Sequence, residues 1–408
     1  MQRRLPNLKE TMIRRRTKTL VFISVSVVVL NSLYFLWTHK LISFTKTFEE
    51  RNVIVSPPTG VQADGIDGND NHPLRKSTES PAHHNGKPMN DASNKGEKES
   101  RILLFADYRT GSTFVGQLLN QNKDVFYFFE PLRPVSDMIK RNTISLDHSN
   151  STKLEILKDL YNCRFPTYYL YHIQHWGLAP SGSKALRALC RAHGGCNNVT
   201  VNHLVDHCKG YRHIGMKVIR LESLDQLESL VTEDKLDLKI LHLIRDPRGV
   251  ASSRKFISQK FLISRKNKTI SKVGLTPRMQ YYCKRSSETI LYSKRLPFWL
   301  KDRYKIIRYE DIAMDPFGLV QEMYNYSGLV SSEDVSKWIT VNTQSKKNGV
   351  SNMSTRKNSS EVVQSWRNKL LFEDVTIIQS FCAELMSLMN YTMLMTENQM
   401  KDMNYKTF

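Results

Sequence analysis

From Arg101 onward, short apolar runs alternate with stretches of helical spacing. Ile102–Ala106 (ILLFA), Val125–Phe129 (VFYFF), Ile214–Ile219 (IGMKVI) and Lys239–Ile244 (KILHLI) are compact and bounded by polar residues. Runs of that length without alternation predict strands buried on both faces, hence a parallel sheet. Between the first two, Phe114, Val115, Leu118 and Leu119 recur at helical spacing, and Leu221–Leu230 repeats the pattern before the fourth run. Strand, turn, helix, strand predicts an α/β sandwich, a central parallel sheet with helices on both faces. Val362–Leu371 and Ile377–Met389 predict C-terminal helices packed against it. There is no internal repeat.

The pattern before Arg101 is different. Leu20–Trp37 is an 18-residue apolar run without charge, at the lower end of what a membrane-spanning helix needs, about 17–25 residues. Arg3, Arg4, Lys9, Arg14, Arg15, Arg16 and Lys18 precede it against Glu10 alone, so the positive-inside rule leaves the N-terminus in the cytosol. A cleaved signal peptide is the competing reading, but the run is long for that purpose and no Ala-x-Ala-like site follows. From Phe48 to Phe105 no aromatic residue intervenes, and the stretch is dense in Pro, Gly, Asn, Asp, Ser and Lys. Such a segment cannot bury enough apolar surface to offset its ordering entropy. The expected organisation is a cytosolic tail (1–19), a signal anchor (20–37) inserted in the lipid bilayer, a flexible stem (38–100) and a lumenal domain (101–408).

Two further features fit a lumenal body. Asn-x-Ser/Thr sequons occur at Asn150, Asn198, Asn267, Asn325, Asn352, Asn358 and Asn390, all beyond the apolar run. The 6 cysteines also lie beyond it, where disulfides persist; their pairing is not readable from spacing. Cys190, His193, Cys196, His203, His207 and Cys208 crowd together with spacings that superficially suggest zinc, yet their order matches no zinc signature, and an oxidising lumen favours bridging.

A formal net charge of +21 on 408 residues implies an anionic partner. Nucleic acid is not indicated, since there is no zinc-finger spacing, basic heptad or RNP-like motif. A membrane surface, an acidic small molecule, an acidic glycan and simply a solvated basic surface all stay open, since charge alone does not choose between them. The segment Arg109-Thr-Gly-Ser-Thr-Phe114 shows where such an anion would bind. It follows the first strand and opens the first helix, so backbone N–H groups and the helix dipole point at an incoming charge. Gly111 permits close approach, Ser112 and Thr113 add hydroxyls, and Arg109 adds fixed charge. Gly111 and Gly116 have the spacing of a Walker A loop, but Gln117 and Leu118 stand where that motif needs Lys and Ser/Thr. A plain helix cap is the bland alternative. A second basic stretch, Ile244-Arg-Asp-Pro-Arg-Gly-Val-Ala-Ser-Ser253, leaves the fourth strand.

The pair RTGSTFVGQLLNQNKDVFYFFEPL and HLIRDPRGVASSR resembles the two nucleotide-binding signatures of Golgi carbohydrate sulfotransferases. Within that superfamily it is most similar to the galactose/N-acetylgalactosamine/N-acetylglucosamine 6-O-sulfotransferases, especially the keratan sulfate galactose-6-sulfotransferase branch. IIRYEDIAMDP (Ile306–Pro316), STRKNSSEVVQSWR (Ser354–Arg367) and an aromatic tail extend the similarity over about Arg101 to Phe408.

The resemblance implies a P-loop-like sulfotransferase fold and the donor 3′-phosphoadenosine 5′-phosphosulfate, with no metal. Arg109, Thr110, Gly111, Ser112, Thr113 and Phe114 would wrap the 5′-phosphosulfate. Arg245 and Ser253 would hold the 3′-phosphate, and a late loop around Arg356 would close over the nucleotide. Glu130, at the end of the second run, is the expected base, its pKa raised by leaving an apolar strand; a turn-capping glutamate is the alternative. Lys217 would stabilise charge on the leaving phosphate, or else pack its stem at the strand edge. The expected activity is sulfuryl transfer to the 6-hydroxyl of galactose, N-acetylgalactosamine or N-acetylglucosamine in a keratan or chondroitin-like glycan, by a type II protein of the Golgi membrane. A type II glycosyltransferase shares the topology, but many of those hold manganese with Asp-x-Asp, a triplet absent here. A non-catalytic glycan-binding membrane protein is the third class.

Overall fold

The computed structural model describes residues 99–264, 276–343 and 359–408. The cytosolic tail, Leu20–Trp37, nearly all of the stem, and Arg356 lie outside the described residues. None of the described helices is long and apolar enough to cross a membrane.

Five parallel strands form one sheet: β1 (Arg101–Phe105), β2 (Val125–Phe129), β3 (His213–Val218), β4 (Leu238–Ile244) and β5 (Tyr304–Arg308), in the order β2-β3-β1-β4-β5. The first four coincide with the apolar runs to within a residue at either end. They are apolar throughout because both faces are covered. Leu103 and Phe105 of β1 join one core, and Ile102 and Leu104 the opposite one. β5 escaped the pattern because only Ile307 in it is buried, whereas β2, at the opposite edge of the sheet, is buried throughout.

On one face pack helices α2 (Ser149–Tyr161), α3 (Lys184–Ala192) and α4 (Val201–Lys209), and on the other α1 (Ser112–Gln121). A third core surrounds the end of β4, where α5 (Pro247–Ser264), α6 (Thr276–Lys294) and α7 (Phe372–Leu388) meet. Each fully buried Leu, Ile or Phe in these layers contributes about 1.5–3 kcal/mol.

Two expected helices differ. Leu221–Leu230 is irregular, with a 3₁₀ turn at Asp225–Leu227 and a short helix at Glu228–Thr232. Leu221, Leu224, Leu227 and Leu230 are all buried. Their strict spacing of three matches a 3₁₀ period and drifts around an α-helix, which the pattern reading overlooked. Val362–Leu371 likewise breaks into a helix ending at Gln364 and a 3₁₀ turn at Ser365–Asn368, whereas Ile377–Met389 falls within α7 and its C-cap.

All the cysteines are paired: Cys163–Cys208, Cys190–Cys196 and Cys283–Cys382. The sulfurs of the crowded Cys190–Cys208 segment are therefore engaged in bridges. Cys283–Cys382 ties α6 to α7 across a sequence separation of 99 residues, against 6 for Cys190–Cys196. Chain-entropy arithmetic gives about 4.7 kcal/mol for a loop of ~100 residues and roughly 2 kcal/mol for the short one. Replacing Cys283 and Cys382 by Ser should therefore lower stability in a denaturant titration more than replacing Cys190 and Cys196. The reverse order would show that strain or residual structure, not loop closure, sets these contributions.

Candidate active site

All five strands are parallel, so their carboxyl ends share one edge of the sheet. From β1 the chain turns toward β2 on one side, and from β4 toward β5 on the other. Open α/β sheets bind ligands at such a switch point, outside the carboxyl ends. The loop after β1 and the turn after β4 flank that crevice.

In the loop after β1 the backbone turns left-handed at Arg109 (φ 72°) and at Gly111 (φ 95°), the N-cap of α1. A Cβ on Gly111 would collide with the Tyr309 ring, so glycine is required for both conformation and space. No side chain among the described residues caps this helix and its first turn holds no acid, which leaves a positive helix end facing the crevice. The Thr110 side chain is fully buried and donates to the Asp107 carbonyl at 2.8 Å, so its hydroxyl is committed to the loop itself. Phe114 is buried and stacked on Trp338 with centroids 5.7 Å apart, so its ring belongs to the core. Ser112 is buried at the turn, and Thr113 accepts from Lys217 Nζ at 3.4 Å. The loop is fastened from behind: Asp107 bridges Arg254 of α5 at 2.9 Å and Arg285 of α6 at 3.2 Å, and Arg254 also donates to the Tyr108 carbonyl.

The two basic stretches interlock. Arg109 Nε donates to Ser253 Oγ at 2.9 Å, and Arg245 Nη1 donates to the Arg109 carbonyl at 3.4 Å across 136 residues of sequence. The Arg245 guanidinium lies 4.4 Å from the centre of the Tyr309 ring, and its buried Nε has no hydrogen-bond partner among the described residues. Burial lowers the Arg109 pKa, and the nearby charges of Arg245 and Arg254 add to the effect. Cations are held closer together here than they would choose, an arrangement that an anion relieves.

Behind Arg245 lies a support that sequence reasoning missed. Arg248 is fully buried, clasping Asp246 at 2.7 Å, donating to the Thr392 carbonyl at 2.9 Å and lying over Trp366. Glu310 accepts from the Asp246 amide at 3.1 Å and from Tyr391 at 2.7 Å. Burial, with Asp246 nearby, raises its pKa to about 7. Tyr309 and Glu310 stood in the Ile306–Pro316 stretch, but nothing in their spacing assigned them a place under the turn.

At the other end of the crevice the structure brings Glu130 and Lys217 together. Lys217 Nζ donates to Glu130 Oε1 at 2.8 Å, and Arg220, which sequence reasoning also missed, donates to Oε2 at 2.5 Å. Lys217 does not pack at a sheet edge. β3 is an interior strand, and the lysine is 1% exposed beneath Gly116, with Phe129 4.0 Å from its ammonium. Burial lowers the Lys217 pKa, and Glu130 opposes that shift. For Glu130 the expected direction is reversed. Burial alone would raise its pKa, but Lys217 and Arg220 outweigh burial, and the carboxyl sits below its ordinary value of 4.5. An apolar strand end desolvates a carboxylate; two adjacent cations restore its charge.

Comparisons with known proteins place this geometry. Residues 99–390 match the family model described as a sulfotransferase domain. Carbohydrate sulfotransferase 3 of Tetronarce californica is 32% identical over 329 residues, covering 74% of this chain and 74% of the relative. Carbohydrate sulfotransferase 1 of Mus musculus is 28% identical over 350 residues, 75% of this chain and 82% of the relative. Among solved structures, a sulfotransferase domain from the curacin biosynthetic pathway aligns at 13% identity over 73% of this chain and 100% of its own, with a TM-score of 0.40.

The Glu130 clamp has a measurable sign. A carboxylate with a depressed pKa stabilises the fold above its unfolded pKa, and that contribution is lost as pH falls through the lower folded value. Arg220→Met should move the Glu130 titration upward, read by carboxyl carbon NMR, and shift acid unfolding to higher pH. Lys217→Met should cost more, about 3–5 kcal/mol, because it breaks a buried pair. An unshifted titration in Arg220→Met would mean that the arginine does not hold the carboxylate.

Proposed function

The chain belongs to the carbohydrate sulfotransferase family, enzymes that transfer sulfate onto carbohydrate, and on that premise we propose a specific reaction and place for it. The donor is 3′-phosphoadenosine 5′-phosphosulfate, and the acceptor is the 6-hydroxyl of a sugar in a glycan. Membership of this family replaces the nucleotide-sugar glycosyltransferase alternative.

The observation that carries the donor assignment is the interlock of Arg109, Arg245 and Ser253 at the switch point. A nucleotide with phosphate at both its 3′ and 5′ positions needs two cationic pockets at a fixed separation. Arg109 with the open N-terminus of α1 supplies one, and Arg245 with Ser253 the other. The unpaired Nε of Arg245 is a donor left for a ligand oxygen. Ser112 and Thr113 contribute backbone N–H groups. The Thr110 and Phe114 side chains shape the turn.

In the reaction the sugar oxygen attacks sulfur as the sulfur–oxygen bond to the 5′-phosphate breaks. The electron pair leaves with 3′-phosphoadenosine 5′-phosphate, and the hydroxyl proton passes to Glu130. Glu130 is ionised over the whole neutral range, so it is always ready to accept, at some cost in base strength. Lys217, next to both Glu130 and Thr113, is placed to steady charge developing on the leaving phosphate. Catalysis on this reading is positioning and charge stabilisation, as for other transfers of anionic groups.

The acceptor we favour is galactose in a keratan-like chain, with N-acetylgalactosamine and N-acetylglucosamine as the competing sugars. We place the protein in the Golgi membrane, type II, with the catalytic domain in the lumen. The apolar run at 20–37 and its basic flank support this, as do the paired cysteines. So do the sequon residues Asn150, Asn198, Asn325 and Asn390, all solvent-exposed.

Incubating the full chain with radiolabelled donor and a panel of desulfated glycans tests the reading. Arg245→Ala and Arg109→Ala should each weaken donor binding about 10–100-fold, the worth of a charge-assisted hydrogen bond. Glu130→Gln should keep donor affinity and lose about 10²–10⁴ in kcat. Unchanged donor affinity in Arg245→Ala would sink the donor assignment, and full turnover in Glu130→Gln would remove that residue as base. Glycan binding without donor affinity in the native chain would mark a non-catalytic lectin.

A further inference from the structure

The carboxylate of Glu310 takes no part in the reaction proposed above, yet it is built into the floor of the donor pocket. It lies in the first turn of the short helix Tyr309–Met314, directly after β5, and is 1% exposed. Oε1 accepts from the Asp246 amide at 3.1 Å, and Oε2 from the Tyr391 hydroxyl at 2.7 Å. Tyr309, the residue before it, supplies the ring over which the Arg245 guanidinium lies, 4.4 Å from its centre. Two consecutive residues after β5 therefore hold two consecutive residues after β4, one by a ring face and the other by a carboxylate.

Those partners suit a charge poorly, because the amide and the phenol are both neutral donors. The neighbouring carboxylate, Asp246, takes the Arg248 guanidinium for itself at 2.7 Å. The charged and titratable groups facing Glu310 come from four elements. Arg245 and Asp246 belong to the turn after β4, Tyr282 to α6, Tyr391 to the segment after α7, and Arg308 and Tyr309 to its own stretch of chain. Burial raises the pKa of all three tyrosines, so they stay neutral. Arg308 is committed to Asp311 at 2.6 Å. Arg245 is thus the cation that favours an ionised Glu310, against burial and Asp246, which together bring the carboxyl to about 7.

Arg245 is also the group that a 3′-phosphate would engage on the reading above. A phosphate on that guanidinium brings negative charge toward Glu310 and offsets the field that kept it ionised. The carboxylate then holds a proton more tightly than it does without the ligand. Protonated, it still accepts from the Asp246 amide on one oxygen and meets the Tyr391 hydroxyl through the other, so the support under Arg245 survives the change.

We propose that Glu310 is a proton-linked positioning residue: it takes a proton from the surrounding buffer as the donor nucleotide settles on Arg245 and returns it on release, so that donor affinity rises as the medium becomes more acidic. The proposal rests on the donor assignment above and adds a means of regulating that same pocket. The sign follows from linkage, since a ligand that tightens proton binding is itself bound more tightly by the protonated protein.

The test is calorimetric titration of the full chain with 3′-phosphoadenosine 5′-phosphate at about pH 6, 7 and 8, in two buffers of different ionisation enthalpy. Protonation of the nucleotide's own phosphates is common to native and variant chains, so the comparison between them isolates the carboxylate. Glu310→Gln is neutral and keeps both hydrogen bonds. At about pH 8 it should bind the nucleotide about tenfold more tightly than native protein, and at about pH 6 equally. Near neutrality the native chain should take up about half a proton more than this variant. Tyr391→Phe removes a hydrogen bond from the ionised form and should move the midpoint of the native pH dependence upward. A carboxylate with a purely structural role would give weaker or unchanged binding in Glu310→Gln at about pH 8, or equal proton uptake in both chains. Either result overturns the proposal and leaves the donor assignment standing. If Glu310→Gln does not fold, an unmoved midpoint in Tyr391→Phe overturns it instead. A native chain that binds no nucleotide at any pH overturns the donor assignment, and the proposal with it.

Discussion

Guanidinium groups that would repel one another are gathered at the carboxyl edge of a single sheet. At an effective dielectric of about 20, two like charges about 4 Å apart repel by roughly 4 kcal/mol. The fold answers with carboxylate partners. Asp107 takes Arg254 and Arg285, and Asp246 takes Arg248. Arg245 instead lies on the Tyr309 ring. One carboxylate for both Arg254 and Arg285 leaves the cluster net positive, and the charge of Arg245 still acts on Arg109. Their residual repulsion is what a doubly phosphorylated ligand would remove on binding.

The same logic governs Glu130. A carboxylate with a raised pKa would be a stronger base but would be partly protonated at neutral pH. Held between Lys217 and Arg220, it is always ionised and fixed in direction, because both of its oxygens are engaged. On the proposed reaction, a donor's negative charge placed beside Lys217 would weaken the field on Glu130 and raise its basicity at the step that needs it. Resting stability and catalytic readiness then come from one set of contacts.

How much of this the sequence disclosed follows from what each feature depends on. The first four strands were legible because burial on both faces forces uninterrupted apolar runs, as in Val125–Phe129. Arg109 and Arg245 were legible because a glycine turn or a strand end places them, and both constraints are local. Arg220 and Tyr309 were not. Each acts through a partner 90 residues away for Arg220, or through a ring face that any buried tyrosine could offer. The leucines at 221–230 misled for a subtler reason. Apolar spacing reports which residues are buried, and a 3₁₀ turn buries every third residue as readily as a helix buries its stripe. The direction of the Glu130 pKa was misjudged because burial can be guessed from one strand, whereas its two cations come from another.

Helix α6 joins these pieces. Within one turn Tyr282, Cys283 and Arg285 make its decisive contacts. Tyr282 donates to the Arg245 carbonyl at 2.7 Å and accepts from the Arg245 amide at 3.2 Å, so it holds the turn that carries one cationic pocket. Arg285 holds Asp107 and, through it, the loop that carries the other. Cys283 is bonded to Cys382, which locks the helix onto α7 and the third core. The separation between the pockets is thus set by a rigid element outside the sheet, not by the two loops themselves. Loops alone would pay ordering entropy each time a ligand arrived. With α6 pinned covalently at its middle, that cost is met on folding.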